Sequence, residues 1–221
     1  MEEKRVFAEG RCGYKYCLIF IIGCLIGTWY EEILHLIRTG SYQNRSGVMY
    51  GPFNPVYGAG ILLMVVVIGR IEKWIHAITY GAILGGTVEY LLSLLQEIFT
   101  GSVSWNYTGK LTSIDGRTTV LYALFWGVLG FIIAKIIYPY LSRLIEKIPY
   151  RFGQTMTISI MVFLVLNMFV SYSALIRRGL RVKGYEPLTP LGEFYDDYYH
   201  DERIQRLFPN MNLDGKKDVG D

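Results

Sequence analysis

Three carboxylates stand in surroundings that acids rarely occupy. Glu31 and Glu32 follow an uncharged apolar run and precede Ile33-Leu34-His35-Leu36-Ile37. Glu89 lies between Gly81–Val88 and Leu91–Leu95. A carboxylate near the centre of a membrane helix costs about 2.5–3.5 kcal/mol on insertion scales. Such residues are kept for a purpose, and two purposes fit here. One is a proton, cation or substrate site lined by Glu31 and Glu89, with Glu32 beside it. The other is a buried ion pair with Arg45 or Arg117, tying loops to helices.

The remaining candidates fall in two polar loops. The first carries Asn44, Arg45 and the run Tyr50-Gly51-Pro52-Phe53-Asn54-Pro55-Val56-Tyr57-Gly58. Two prolines and several glycines impose non-helical backbone just before a short apolar run. Irregular backbone at membrane depth survives only where protein or a watery cavity covers it. A broken or re-entrant approach to the second span follows, of the kind that forms transporter binding sites. The competing reading is a tight interfacial loop anchored by Tyr50 and Tyr57. The second loop carries Trp105 and Tyr107, expected as interface residues, and Asp115-Gly116-Arg117, which can pair around a glycine turn.

Several chemistries are excluded. There is no GxxxxGK[ST] phosphate loop, so the chain carries no ATPase site of that type. His35, His76 and His200 are scattered, and Cys12, Cys17 and Cys24 match no metal or disulfide pattern. No metal, cofactor or catalytic Ser-His-Asp or Cys-His set is expected. A net charge of +3 in such an apolar chain gives no reason to expect a nucleic-acid partner.

The elements that must position these residues are membrane helices. A span needs roughly 20 mainly apolar residues, and the spacing predicts about five, near residues 14–37, 54–69, 74–97, 118–138 and 154–176. The second is short. Runs such as Ile61-Leu62-Leu63-Met64-Val65-Val66-Val67-Ile68 do not alternate, which excludes a barrel. The expected fold class is therefore all-α, a polytopic helical protein of the cell membrane with the lipid bilayer as its solvent. Residues 1–176 form one transmembrane domain and 177–221 a polar, tyrosine-rich tail. The first apolar run is too long for a signal-peptide core and is read as a retained span. The link Pro139 to Arg151 is amphipathic and expected to lie flat in the interface. With five spans, the two polar loops share one face. Basic residues divide nine against eight between the faces, which leaves orientation open.

A parallel two-helix repeat is visible. Gly27-Thr28-Trp29-Tyr30-Glu31 followed by Thr39-Gly40-Ser41 resembles Gly86-Thr87-Val88-Glu89 followed by Thr100-Gly101-Ser102. Coincidence in a biased composition is the alternative. Gly23, Gly27, Gly81, Gly85 and Gly86 lie at roughly helical spacing and predict close helix packing.

At these motifs the chain resembles the bacterial type IV ABC-transporter permease family. The residues that carry the resemblance are Gly27 with Glu31, Asn44-Arg45, the run from Tyr50 to Gly58, and Glu89-Tyr90. It continues through Trp105-Asn106-Tyr107-Thr108, Gly116-Arg117, Phe125-Trp126-Gly127, Tyr199-His200-Asp201-Glu202-Arg203 and Phe208-Pro209-Asn210-Met211. The chain departs from the pattern at Asn106, where an aspartate is expected, and at Asp115, where an asparagine is expected. The resemblance implies a permease-like transporter component working with a separate ATPase subunit; a homo-oligomer is a further partner expectation. Two other functions stay open: a membrane enzyme acting on lipid or a lipid-linked substrate, and a non-catalytic scaffold or regulator docking through its tail.

Overall fold

Lipid offers no partners to backbone N–H and C=O groups, so apolar runs become helices. The computed structural model describes residues 5–100, 103 and 105–209. Gly101, Ser102, Asn210 and Met211, named above, lie outside the described residues. The helices are α1 (Gly13–Thr39), α2 (Pro55–Arg70), α3 (Trp74–Thr100), α4 (Val120–Ile145), α5 (Tyr150–Val182), α6 (Pro190–Tyr198) and α7 (Asp201–Leu207). A two-residue hairpin pairs Ser113–Ile114 with Thr118–Thr119 in the second loop.

Four helices, α1, α3, α4 and α5, are long and apolar enough to cross a membrane. The expected second span is not among them. At 1.5 Å per residue α2 is about 24 Å long, short of the roughly 30 Å of hydrocarbon. Its placement explains the shortfall. Asn54 N–H donates to the Cys24 carbonyl at 3.0 Å, level with the middle of α1. At the far end the Arg11 guanidinium donates to the Gly69 carbonyl at 3.1 Å. The first loop therefore descends halfway along α1, and α2 completes the return to the end where α1 starts. Asn54 caps α2, its Oδ1 accepting from Val56 N–H, and Pro55 occupies the first turn, where its missing N–H costs nothing.

The amphipathic link is not a separate helix. Its first part continues α4 as far as Ile145. Pro139 lacks an N–H and would break an ideal helix. A π-helical turn over Ile133–Ile137, closed by Tyr138 N–H on the Ile133 carbonyl, precedes it, and the helix runs on. Beyond it, the buried Lys15 of α1 donates to Ser142 Oγ and pairs with Glu146. Lys15 holds the Glu146 carboxyl below the usual carboxylate range.

Glycines bring the helices together in pairs. Gly23 and Gly27 of α1 face Gly58 and Tyr57 of α2; Gly81 and Gly85 of α3 face Gly127 and Trp126 of α4. A Cβ on Gly58 would meet Phe20 O and Cys24, and one on Gly127 would meet Ile78 O and Ala82. Each α3 residue lies 58 positions after its α1 counterpart, and each α4 residue 69 after its α2 counterpart. Two helical hairpins thus share one packing seam, contact by contact. The register differs by one from the sequence-based match: Gly85, not Gly86, corresponds to Gly27, and Glu89 then falls opposite Glu31.

The seam predicts contrasting substitutions on one helix. A Cβ at Gly58 would lie 2.5 Å from Cys24 Sγ and 2.6 Å from a backbone oxygen, whereas Gly60 has nothing within 4 Å. Gly58→Ala is expected to destabilise by about 1–3 kcal/mol. Gly60→Ala is expected to be neutral or to stabilise by about 0.5–1 kcal/mol. Thermal melts of the detergent-solubilised protein check both.

Candidate functional site

The repeat sets the glutamates. Glu31 lies about 12 Å and Glu89 about 16 Å of helix from the C-terminal ends of α1 and α3. Glu31 Oε1 accepts from the Tyr57 hydroxyl of α2. Glu89 accepts from two hydroxyls, Tyr107 at 2.9 Å and Thr118 at 2.7 Å. Tyr107, bonded to Glu89, also feels Glu31 through space, more weakly. Tyr107 also stacks on Tyr122 of α4, with centroids 4.7 Å apart. Burial, reinforced by Glu89, pushes the Tyr107 phenol above its ordinary range, so it stays a proton donor at physiological pH. At the position corresponding to Tyr57 stands Trp126, whose indole N–H is buried without an acceptor among the described residues.

The expected ion pairs with Arg45 and Arg117 do not form. Arg117 reaches Glu97 at 2.5 Å and Ser93 Oγ at 3.3 Å, and lies over the Tyr90 ring. Arg45 meets His35 Nδ1 at 2.7 Å. Among the described residues no salt bridge includes Glu31, Glu32 or Glu89. Both central carboxylates are therefore held by hydroxyls in a half-buried setting.

The other candidates shape the loops. Glu32 accepts from Tyr42 Oη at 3.1 Å and from the Arg45 N–H at 3.5 Å. Asn54 Nδ2 donates to the Arg45 carbonyl. Asn44 Oδ1 accepts from Ser46, and its Nδ2 donates to the Leu207 carbonyl of α7. Trp105 Nε1 donates to the Arg117 carbonyl at 2.9 Å. Asp115 accepts from Tyr90 Oη at 2.8 Å and has a left-handed backbone, φ 51°. Asparagine and aspartate both tolerate that conformation. Asn106 Oδ1 accepts from the Thr108 N–H and hydroxyl, a task a carboxylate also performs. The two departures from the family pattern thus keep the loop geometry.

The family model described as "Putative ABC-transporter type IV" matches residues 18–172, more than half of the chain. The chain belongs to this family. No curated protein and no solved structure matches it. The matched stretch of this ABC-transporter family member holds both glutamates and both polar loops, and ends before the tail.

Two residues that the sequence reading passed over hold the first loop at depth. Asn167, midway along α5, accepts from the Tyr50 N–H at 3.3 Å and donates to the Tyr50 carbonyl at 2.6 Å. Ser171, one turn on, accepts from the Met49 N–H at 2.9 Å. The available signal was an asparagine and a serine four apart in an otherwise uncharged run. The tail then closes over this loop. Met49 packs with Ala174, Leu175, Tyr195, Tyr199, Ile204 and Phe208, and Tyr50 Oη meets Tyr199 Oη at 2.8 Å. Arg177 and Arg181 grip Asp196, while Arg178 and Arg181 grip Asp201. α5 runs on to Val182, so Arg177, Arg178 and Arg181 stand on that helix.

Arg177, joined by Arg181, holds the Asp196 carboxyl below the usual aspartate range. A carboxyl depressed in the folded state stabilises above its unfolded pKa, and that contribution is lost as pH falls through the folded value. Docking of α6 and α7 is expected to hold at neutral pH and to weaken below about pH 4, the ordinary aspartate value. Asp196→Asn removes a charged hydrogen-bond acceptor worth about 1.5–3 kcal/mol at any pH above that window. Hydrogen-exchange protection of the 191–198 amides reads both: lower in the variant at neutral pH, and falling in the native protein as the pH drops through that window.

Proposed function

We propose that the chain is the membrane-spanning, permease-like component of an ABC-type transporter, and that a cationic group occupies the site between its two hairpins. Family membership supports the transporter part of this reading. One observation carries the site: glutamates at corresponding positions of two hairpins both act through space on Tyr107, and neither forms a salt bridge among the described residues. Two carboxylates held only by hydroxyls present negative charge to whatever enters, a proton or a protonated amine. The first loop, irregular at membrane depth, is the polar wall on one side, as in transporters built from broken helices. ATP hydrolysis falls to a separate subunit, since no phosphate loop is present in the chain.

The experiment has two arms. The tagged chain, purified from its native membrane, is expected to bring down an ATPase subunit, identified by mass spectrometry. In proteoliposomes of that complex, ATP-driven uptake of labelled amines is expected to fall about tenfold or more in Glu31→Gln and Glu89→Gln, a loss of at least 1.4 kcal/mol. Glu32→Gln, which engages only loop groups, is expected to keep most of it. Absence of any ATPase, together with unchanged uptake in both variants, would sink the reading. Loss of lipid turnover in Glu89→Gln with no uptake by the native protein would mark a membrane enzyme instead.

A further inference from the structure

Far from the glutamates, at the N-terminal end of α3, lies an open cavity of about 550 Å³. It is lined by Glu72, Lys73, Trp74, Ile75, Phe131 and Lys135. Trp74 stands 15 residues before Glu89, about 22 Å along the helix. The lining divides by chemistry. Trp74, Ile75 and Phe131 make apolar walls, and Trp74 and Ile75 are 60% and 55% exposed. Lys73 and Lys135 bring two ammonium groups to the rim against one carboxylate, Glu72.

More positive charge gathers around it. Lys135 Nζ donates to the Gly69 carbonyl at 3.2 Å, and Arg11 shares that carbonyl. An ammonium has three donors, and the carbonyl engages one of them. Arg70, next in sequence, is exposed. Lys73, Lys135 and Arg11 thus gather at this end of the molecule against Glu72, the one carboxylate in the lining. Long cationic side chains and a tryptophan at a helix end mark the membrane–water interface.

We propose that this cavity binds one anionic phospholipid, its phosphate between Lys73 and Lys135 and an acyl chain along Trp74, Ile75 and Phe131. The apolar walls distinguish a lipid from free phosphate, which has nothing to place there. The lysines distinguish an anionic lipid from a zwitterionic one, whose choline would meet like charge. Basic pockets at helix ends recognise anionic headgroups on these grounds.

Tryptophan quenching by brominated lipid tests the proposal. The full chain, reconstituted in phosphatidylcholine, is titrated with brominated phosphatidylglycerol or brominated phosphatidylcholine. The fluorescence lost in Trp74→Phe isolates the signal of that residue. It is expected to be half-quenched at a roughly tenfold lower fraction of the anionic lipid, a preference of about 1.4 kcal/mol. In Lys73→Gln/Lys135→Gln the two lipids are expected to quench alike. Equal quenching in the native protein, or a preference that survives the double substitution, overturns the proposal. Inorganic phosphate at millimolar concentration is expected to change nothing; displacement of the lipid by it would also overturn the assignment. If the double variant loses its cooperative melt, Lys73→Gln alone, at an exposed position, carries the same comparison.

Discussion

A peptide group inside a bilayer has no water to turn to, and the first loop carries a row of them down to the middle of α1. The structure answers with side chains. Asn167 presents its amide to Tyr50 as a neighbouring strand would, accepting one bond and donating the other. Ser171 takes the Met49 N–H, the Cys24 carbonyl takes that of Asn54, and Asn54 caps the helix that follows. Remove these partners and the loop cannot stay at depth. α2 would then lose its starting point, and Tyr57 could no longer reach Glu31. Tyr57 reaches Glu31 because the backbone at Met49, Tyr50 and Asn54 is provided for.

The hairpin repeat supplies the rest of the geometry. Close glycine contact lets α1 lie against α2, and α3 against α4, near enough for side chains on one helix to engage those on the next. The halves then diverge. In the first, α2 begins late and its own Tyr57 meets Glu31. In the second, α4 begins higher, Trp126 replaces that tyrosine, and the loop residues Tyr107 and Thr118 take over Glu89. One template thus yields two unlike surroundings for the paired glutamates.

Much of this was legible from residue order, and the failures have physical causes. Apolar run length located the four long helices and marked α2 as short, and the proline-glycine composition of residues 50–58 offered a broken approach to it as one of two readings. The glutamates stood out because hydrocarbon makes them costly. Their partners did not, because a carboxylate's choice between arginine and tyrosine is made by tertiary geometry. Arg117 found Glu97 one face away, and Tyr107 filled the place. Pro139 read as a helix end, but a π turn absorbed its missing donor. Asn167 was overlooked because a lone amide in an apolar run barely lowers its hydropathy, although that amide is what anchors the loop.

The Asn167–Tyr50 pair also has a temporal side. Its members are 117 residues apart in the chain. At roughly 5–20 residues per second of synthesis, the loop waits about 6–23 s for its partner to be made. Throughout that interval α1 can already be in the bilayer, while the stretch after it has no lasting place there. Residues 40–54 must therefore be sheltered at the membrane surface or by the insertion machinery until α5 arrives. The polar centre is among the last parts of the molecule to assemble, and a chain truncated before residue 167 leaves the membrane with helices but without a site.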